Sequence, residues 1–428
     1  MVVTITLILL FVFLALGMPI AFALGISGSI GLIMLGGFQM FGGILQTTPY
    51  ESVSSYLLST IPMFILMAEF MTASGITKDL FFAANKWLGR LPGGLALAAI
   101  FAGTGMAAVS GSSTASAATL SSAAVPEMRR YGYQMDFSLG VVSIAGTLAV
   151  MIPPSIALIL YGILTETGIG SLLIAGIIPG LLTAIGYMIT VFIYVKLRPE
   201  VAPQVKEVVP LKEKFESIKY TWPMLLLIVA VIVAIYTGIV TPTEAGALGA
   251  FVAFLIALAM RRLTVQKVNQ ALSRTLRSTT MILFIVIGAM IFSYFVTVTQ
   301  VTQNLISFIQ ASDISKWVVL AAVVVIYLIL GMFLDQIAIL ILTLPFTFPL
   351  ITSLGFDPIW FGVIVTKTVE IGLVTPPVGL NVFVASGVTG VSTAVAFRGV
   401  ILFVFVELVI LLLLILFPAL STWLPSLM

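Results

Sequence analysis

One offset constrains this chain more than any other feature of it. A shift of 223 residues carries Pro19 onto Pro242, Pro126 onto Pro349, Gly132 onto Gly355 and the pair Pro153-Pro154 onto Pro376-Pro377, without a gap. Isolated proline coincidences are common, but an ordered set at one offset is not. The chain therefore reads as two copies of one unit. The same shift lays Ser112 on Asp335.

What the unit contains follows from hydropathy. Of 428 residues, 61% are hydrophobic and 8% charged, which places the chain among polytopic α-helical membrane proteins. Val2–Leu16 is one apolar run with no basic flank or small-residue cleavage site, so it is expected to be a first membrane helix rather than a cleaved leader. Within the first unit, Ser110–Ala124 consists of Gly, Ala, Ser and Thr apart from Leu120. Hydroxyls and free backbone are costly in lipid and are tolerated only beside protein or a water-filled cavity. Small side chains also let helices approach closely, so the same stretch suits a packing face. With the apolar run before it and Pro126 after it, the stretch is read as a re-entrant hairpin with its tip at Gly111-Ser112-Ser113. A second hairpin is expected around Gly331–Gln336. The Pro-Pro pairs break two helices in mid-membrane and free backbone carbonyls there.

The expected organisation is a first repeat over 1–195, with a hairpin about 93–128 and a broken helix about 134–165. A cytoplasmic linker with an amphipathic helix covers 196–221. A second repeat covers 222–428, with a hairpin about 317–352 and a broken helix about 358–388. If neither hairpin crosses fully, each repeat has five spans; five is odd, so the second repeat is inverted. Charge placement agrees. All but two of the 19 basic residues, Lys206 and Arg274 among them, then fall on one side; the exceptions are Lys316 outside and Lys367 within a helix. The positive-inside rule makes the shared side cytoplasmic and both termini periplasmic. Lys78–Arg90 and Val301–Asp313 read as interfacial helices.

Two oppositely inserted hairpins and two broken helices meeting at the midplane form a secondary-transporter pattern. Half-helix ends and carbonyls suit a small cation such as Na⁺ and an anionic substrate, and the hydroxyls of Ser112, Ser113, Ser155 and Thr375 add hard oxygens. One cation site is expected where the tip Ser110, Gly111 and Ser112 meets the break at Met151 and Pro153. Its mate is expected where Gly331, Phe333 and Asp335 meet Gly372 and Thr375. Asp335 is a candidate for ion or substrate. Lys367 and Glu370, three apart on one helix, are expected to pair with each other. Glu69 and Glu244 lie near helix ends within reach of water. The chain has no Cys and no His, which removes disulfides, thiol nucleophiles, Ser-His catalysis and histidine proton relays.

Gly111-Ser112-Ser113, Ile152-Pro153-Pro154-Ser155 and Val374-Thr375-Pro376-Pro377-Val378-Gly379-Leu380-Asn381 together resemble the large membrane subunit of the tripartite ATP-independent periplasmic (TRAP) transporters. The resemblance covers essentially the whole chain. It implies a Na⁺-driven elevator of the ion-transporter superfamily in the bacterial inner membrane. It also implies a small four-helix membrane subunit, here a separate polypeptide, and an extracytoplasmic substrate-binding protein. The expected substrate is an organic acid such as a sialic acid or a C4-dicarboxylate, held by Ser112, Ser113, Thr114, Ser155, Asp335 and Asn381. No enzyme activity, organic cofactor or nucleic-acid partner is expected. The rivals are a stand-alone transporter of the same superfamily, a channel, and an intramembrane hydrolase for which Lys367 is the one available base.

Overall fold

The computed structural model describes residues 1–204, 209–219, 221–312 and 314–428. Lys206, Tyr220 and Asp313, which enter the expectations above, lie outside the described residues.

The described residues fold into helices and short 3₁₀ turns. In order these are α1 Val2–Ala15, α2 Ile20–Val53, α3 Thr60–Ala73, α4 Ile76–Leu88, α5 Gly94–Ser110, α6 Ser113–Arg130 and α7 Met135–Met151. α8 Ile156–Thr165, α9 Ile169–Ala175, α10 Ile177–Leu197 and α11 Leu211–Ile218 follow. The remainder are α12 Trp222–Tyr236, α13 Pro242–Ala259, α14 Val265–Thr299, α15 Val301–Ala311 and α16 Lys316–Gly331. α17 Gln336–Ser353, α18 Pro358–Gly372, α19 Leu380–Thr389, α20 Thr393–Leu416 and α21 Ala419–Thr422 complete the chain. Among the described residues, eight helices are long and apolar enough to cross a membrane, or nine if α11 and α12 count as one bent span.

Helix bounds repeat at the offset found in the sequence. α6 and α17 are both 18 residues long and coincide residue for residue under the 223-residue shift. α8 and α19, each of 10 residues, coincide to within one position. The local causes recur as well. Each hairpin's second limb starts on a side-chain N-cap, Ser112 or Asp335. α7 ends just before Pro153-Pro154 and α18 just before Pro376-Pro377, where a proline ring blocks further helix. α14 is one helix of 35 residues, with no Pro to interrupt it. The Gly-rich stretch 36–53 is helical too and continues α2 past a non-helical Gly37.

Two packed groups result. α2 and α14 cross on small residues: a methyl added at Gly28 would meet the Phe292 backbone at 2.8 Å. α3 packs on α13, joined by the hydroxyls of Thr60 and Thr243 at 2.6 Å. The second group centres on α7, whose residues from Phe137 to Met151 are all buried, and which contacts α5, α6, α10, α18, α19 and α20. The two breaks are interlaced, with α8 against α17 and α18, and α19 against α6 and α7.

Candidate functional site

Each hairpin tip rests on the break of its own half. Gly111 sits in the left-handed region at φ +58, and a methyl there would meet the Pro154 carbonyl at 2.7 Å. Only glycine fits this close approach. In the second half, a methyl on Gly331 would meet the Gly372 Cα at 2.9 Å, and the Gly379 amide lies 3.4 Å from the Met332 carbonyl. In both halves the tip therefore packs directly against the break.

The two tips also converge on one cavity of about 350 Å³. Ser110, Ser112, Ser113 and Thr114 enter from the first tip and Asp335, Gln336 and Ile337 from the second. Ile156 and Leu373 come from the ends of the broken helices. The opposite wall belongs to α3 and α14, through Glu69, Thr72 and Ser278.

The tips differ in how their helix N-termini are used. Asp335 Oδ1 accepts hydrogen bonds from the Ile337 and Ala338 amides at 2.9 and 3.0 Å, so a fixed carboxylate already occupies the α17 N-terminus. At α6 the cap is weak: Ser112 Oγ lies 3.5 Å from the Ala115 amide and 3.5 Å from Thr114 Oγ1. The positive end of that half-helix remains available to an anion.

Other expected residues lie behind this lining. Ser155 is buried, with Oγ close to the Val150 carbonyl and accepting from the Leu158 amide at 3.2 Å; it caps α8. Met151 and Pro153 are buried at the first break. Thr375 donates to the Ile371 carbonyl at 2.6 Å. Phe333 is 55% exposed at the second tip. Asn381 comes from the other half to the first tip: Nδ2 donates to Ser113 Oγ at 2.6 Å and to the Ser143 carbonyl at 3.3 Å.

Asn381 Oδ1, Ser116 Oγ and Ser143 Oγ are buried oxygens without a hydrogen-bond partner, and so is Gln336 Oε1 at the second tip. Unpartnered buried oxygens are unusual and call for a ligand or water. Among the described residues, no cluster of three or more acidic side chains suggests a divalent metal.

Sequence reasoning placed Glu69 near water at a helix end. The structure puts it on the cavity wall, with Oε2 3.5 Å from Arg274 Nη1. Sequence reasoning missed Glu407 altogether. It is buried on α20 and paired with Lys367, which also meets Glu370 at 3.1 Å as expected. A lone acid inside the apolar run of α20 was the signal that could have found it.

The overall fold is found in a known transporter. The Alcanivorax borkumensis YdaH transporter crystal structure matches with a TM-score of 0.67 at 15% identity, covering 89% of each chain; this is a likeness of fold. The C4-dicarboxylate TRAP transporter large permease protein DctM of Pseudomonas aeruginosa is 37% identical over 94% of both chains. The sialic acid TRAP transporter large permease protein SiaM of Vibrio cholerae is 31% identical over 96% of this chain and 95% of its own length. The family model for the tripartite ATP-independent periplasmic transporter, DctM component, matches residues 7–420. With that match spanning both hairpins and both breaks, the chain belongs to the DctM family of TRAP transporter large permeases.

Proposed function

We propose that this permease imports an organic acid anion together with Na⁺, with the cavity between the two tips as its substrate site. The observation that carries the reading is the asymmetry of the tips in one shared cavity. A weakly capped helix N-terminus with Ser112, Ser113 and Thr114 suits a substrate carboxylate. The carboxylate of Asp335 and the unpartnered oxygens behind the tips suit a cation. An anion beside Asp335 would otherwise meet like charge, so the arrangement favours cation and anion loading together.

The substrate belongs to the acids for which relatives are named, C4-dicarboxylates and sialic acids. A cavity of about 350 Å³ is at the small end of the range for such sites. An extracytoplasmic binding protein delivers the acid, and a small membrane subunit completes the complex, as the family's tripartite name suggests.

Hairpins and broken helices move as one body against α1–α3 and α12–α14, carrying the site across an inner membrane with both termini periplasmic. α10 and α20 belong with the moving body, because both pack on α7 and α20 is tied to α18 by a buried ion pair. Two inverted repeats, joined through 196–221, underlie the movement. One contact favours a pseudo-two-fold axis between the broken helices: Thr147 and Glu370, exactly equivalent positions 223 apart, meet at 2.9 Å. A residue on such an axis touches its own counterpart. With the basic side cytoplasmic, the Arg274 beside Glu69 favours a cavity that opens inward.

Uptake in proteoliposomes carrying the permease with its two partners tests the reading. A panel of labelled C4-dicarboxylates, sialic acids and sugar acids is supplied with and without a Na⁺ gradient. Saturable uptake that requires Na⁺ and binding protein is expected. Uptake at full rate without the binding protein favours the stand-alone reading, and unsaturable flux favours a channel.

A further inference from the structure

A second hollow lies away from the cavity between the tips. It is a groove of about 310 Å³ among Leu80, Ala84 and Trp87 of α4, Phe101 of α5, Ile218 of α11 and Leu225 of α12. Among the described residues, the two side chains on its wall with a polar hydrogen have already committed it. The Thr221 hydroxyl donates to the Ile218 carbonyl at 3.1 Å, and Trp87 Nε1 donates to the Lys214 carbonyl at 3.2 Å. A polar solute would lose its hydration here without finding partners, so the wall suits hydrocarbon.

One rim of the groove is charged. α11 packs on α4, with the Phe215 ring edge-on to Trp87 at 5.6 Å, and this sets Lys214 Nζ 5.7 Å from the centre of the indole. Lys86, next to Trp87 in the chain, also reaches α11, where it meets Glu213 at 3.5 Å. Residues 76–90 and 211–219 carry six basic side chains against three acidic ones, and one of the acids, Asp79, is engaged by Arg262. Exposed apolar side chains are ordinary on a surface that faces lipid. An apolar groove that ends at an indole and a lysine, on a face of net positive charge, is instead built to hold a tail below an anionic headgroup.

We propose that this groove is a binding site for one anionic phospholipid, with an acyl chain among α4, α5 and α12 and the phosphate at the rim beside Lys214. A partner's membrane helix buries side chains along its whole length. Here the apolar wall stops at a cation, which matches a molecule with one apolar end and one negative end. Phe101 belongs to the first limb of a hairpin and Leu225 to the helix facing it, so the bound chain touches both. The assignment draws on neither the tips nor the transported ion.

Native mass spectrometry of the full chain in detergent, titrated with phosphatidylglycerol or with phosphatidylcholine of the same chains, tests the site. Wild type should bind phosphatidylglycerol several-fold more tightly. Lys214→Gln should weaken phosphatidylglycerol about fivefold, as expected for one interfacial cation beside a phosphate, and leave phosphatidylcholine unchanged. Leu225→Trp, which fills the groove from a position about half exposed, should weaken both lipids. A phosphatidylglycerol with a photoreactive group in its acyl chain should label α4 or α12. This arm decides the matter even if Leu225→Trp does not fold, and the labelling should persist in the complex with the small membrane subunit. Equal affinity for the two lipids overturns the proposal, as does wild-type binding by either folded variant or labelling confined to other helices. Loss of the label in the complex gives the groove to a partner helix and overturns it too.

Discussion

The two hairpins occupy equivalent places yet are built to different rules. The first tip is loosely capped by Ser112, lined with hydroxyls, and backed by alanines: Ala108 and Ala149 stand where the second half has Gly331 and Gly372. The second tip is capped by a carboxylate making two good amide hydrogen bonds, and its supporting helices touch backbone to backbone. The backbone breaks and the caps hold equivalent positions under the 223-residue shift, while the side chains around them differ. In the site proposed above, unequal halves would give one pole for negative charge and one for positive charge, which two identical tips could not supply.

The backbone contact between Gly331 and Gly372 gives the largest expected effect. A methyl on Gly372 would overlap the Gly331 backbone, and rigid backbone on both sides leaves no flexible neighbour to yield. Gly372→Val should cost more than the roughly 1–3 kcal/mol typical of core overpacking, and should abolish the folded, monodisperse peak in gel filtration. The matching change in the other half, Ala149→Gly, should leave that peak intact, with a loss on the order of 1 kcal/mol from added backbone freedom in a helix. Equal tolerance of both changes would mean that the halves do not differ in how their hairpins are supported.

Charge at the second tip comes next. Asn caps helices as well as Asp, so Asp335→Asn keeps the fold while removing the carboxylate. Melting temperature should stay near that of wild type, and Na⁺-dependent uptake should fall about tenfold, the equivalent of about 1.4 kcal/mol. A folded Asp335→Asn protein that transports at wild-type rate would show that the charge of this tip is only a cap. Making the first tip resemble the second is the converse change. Ser112→Asp improves the α6 cap but fills the half-helix end with negative charge, so KM for the acid should rise several-fold while expression and stability hold or improve. An unchanged KM would move the substrate carboxylate away from the first tip.

The architecture was legible because its signals are backbone signals. Proline pairs, a run of small residues and one offset marked both hairpins and both breaks, and the bounds of α6 and α17 agree under that offset to the residue. The cavity was only partly legible. Ser110, Ser112, Ser113, Thr114 and Asp335 line it because they lie at the tips. Glu69 and Ser278 reach the same cavity from α3 and α14, and nothing in their local sequence announces which face of a long helix meets a hairpin. Lys367 and Glu370 could be paired by their spacing on one helix. Their third member, Glu407, is distant in sequence and becomes a partner only once α20 packs against α18.

Ser155 offers the finest test of the division between cavity and support. As a hydroxyl at a break it was a candidate for touching substrate, but its Oγ is engaged at the start of α8 and it is fully buried. It contributes to the site by fixing where α8 begins, and so where Ile156 meets the cavity. Ser155→Ala should lower stability by about 1 kcal/mol through loss of the cap, with KM for the acid unchanged. Ser155→Thr, which keeps the hydroxyl, should restore much of that stability if its added methyl fits the buried space. Paired thermal melts and uptake curves separate the two roles. A rise in KM without a fall in melting temperature would bring Ser155 into contact with substrate, and would make the first break, not only the first tip, part of the negative-charge pole.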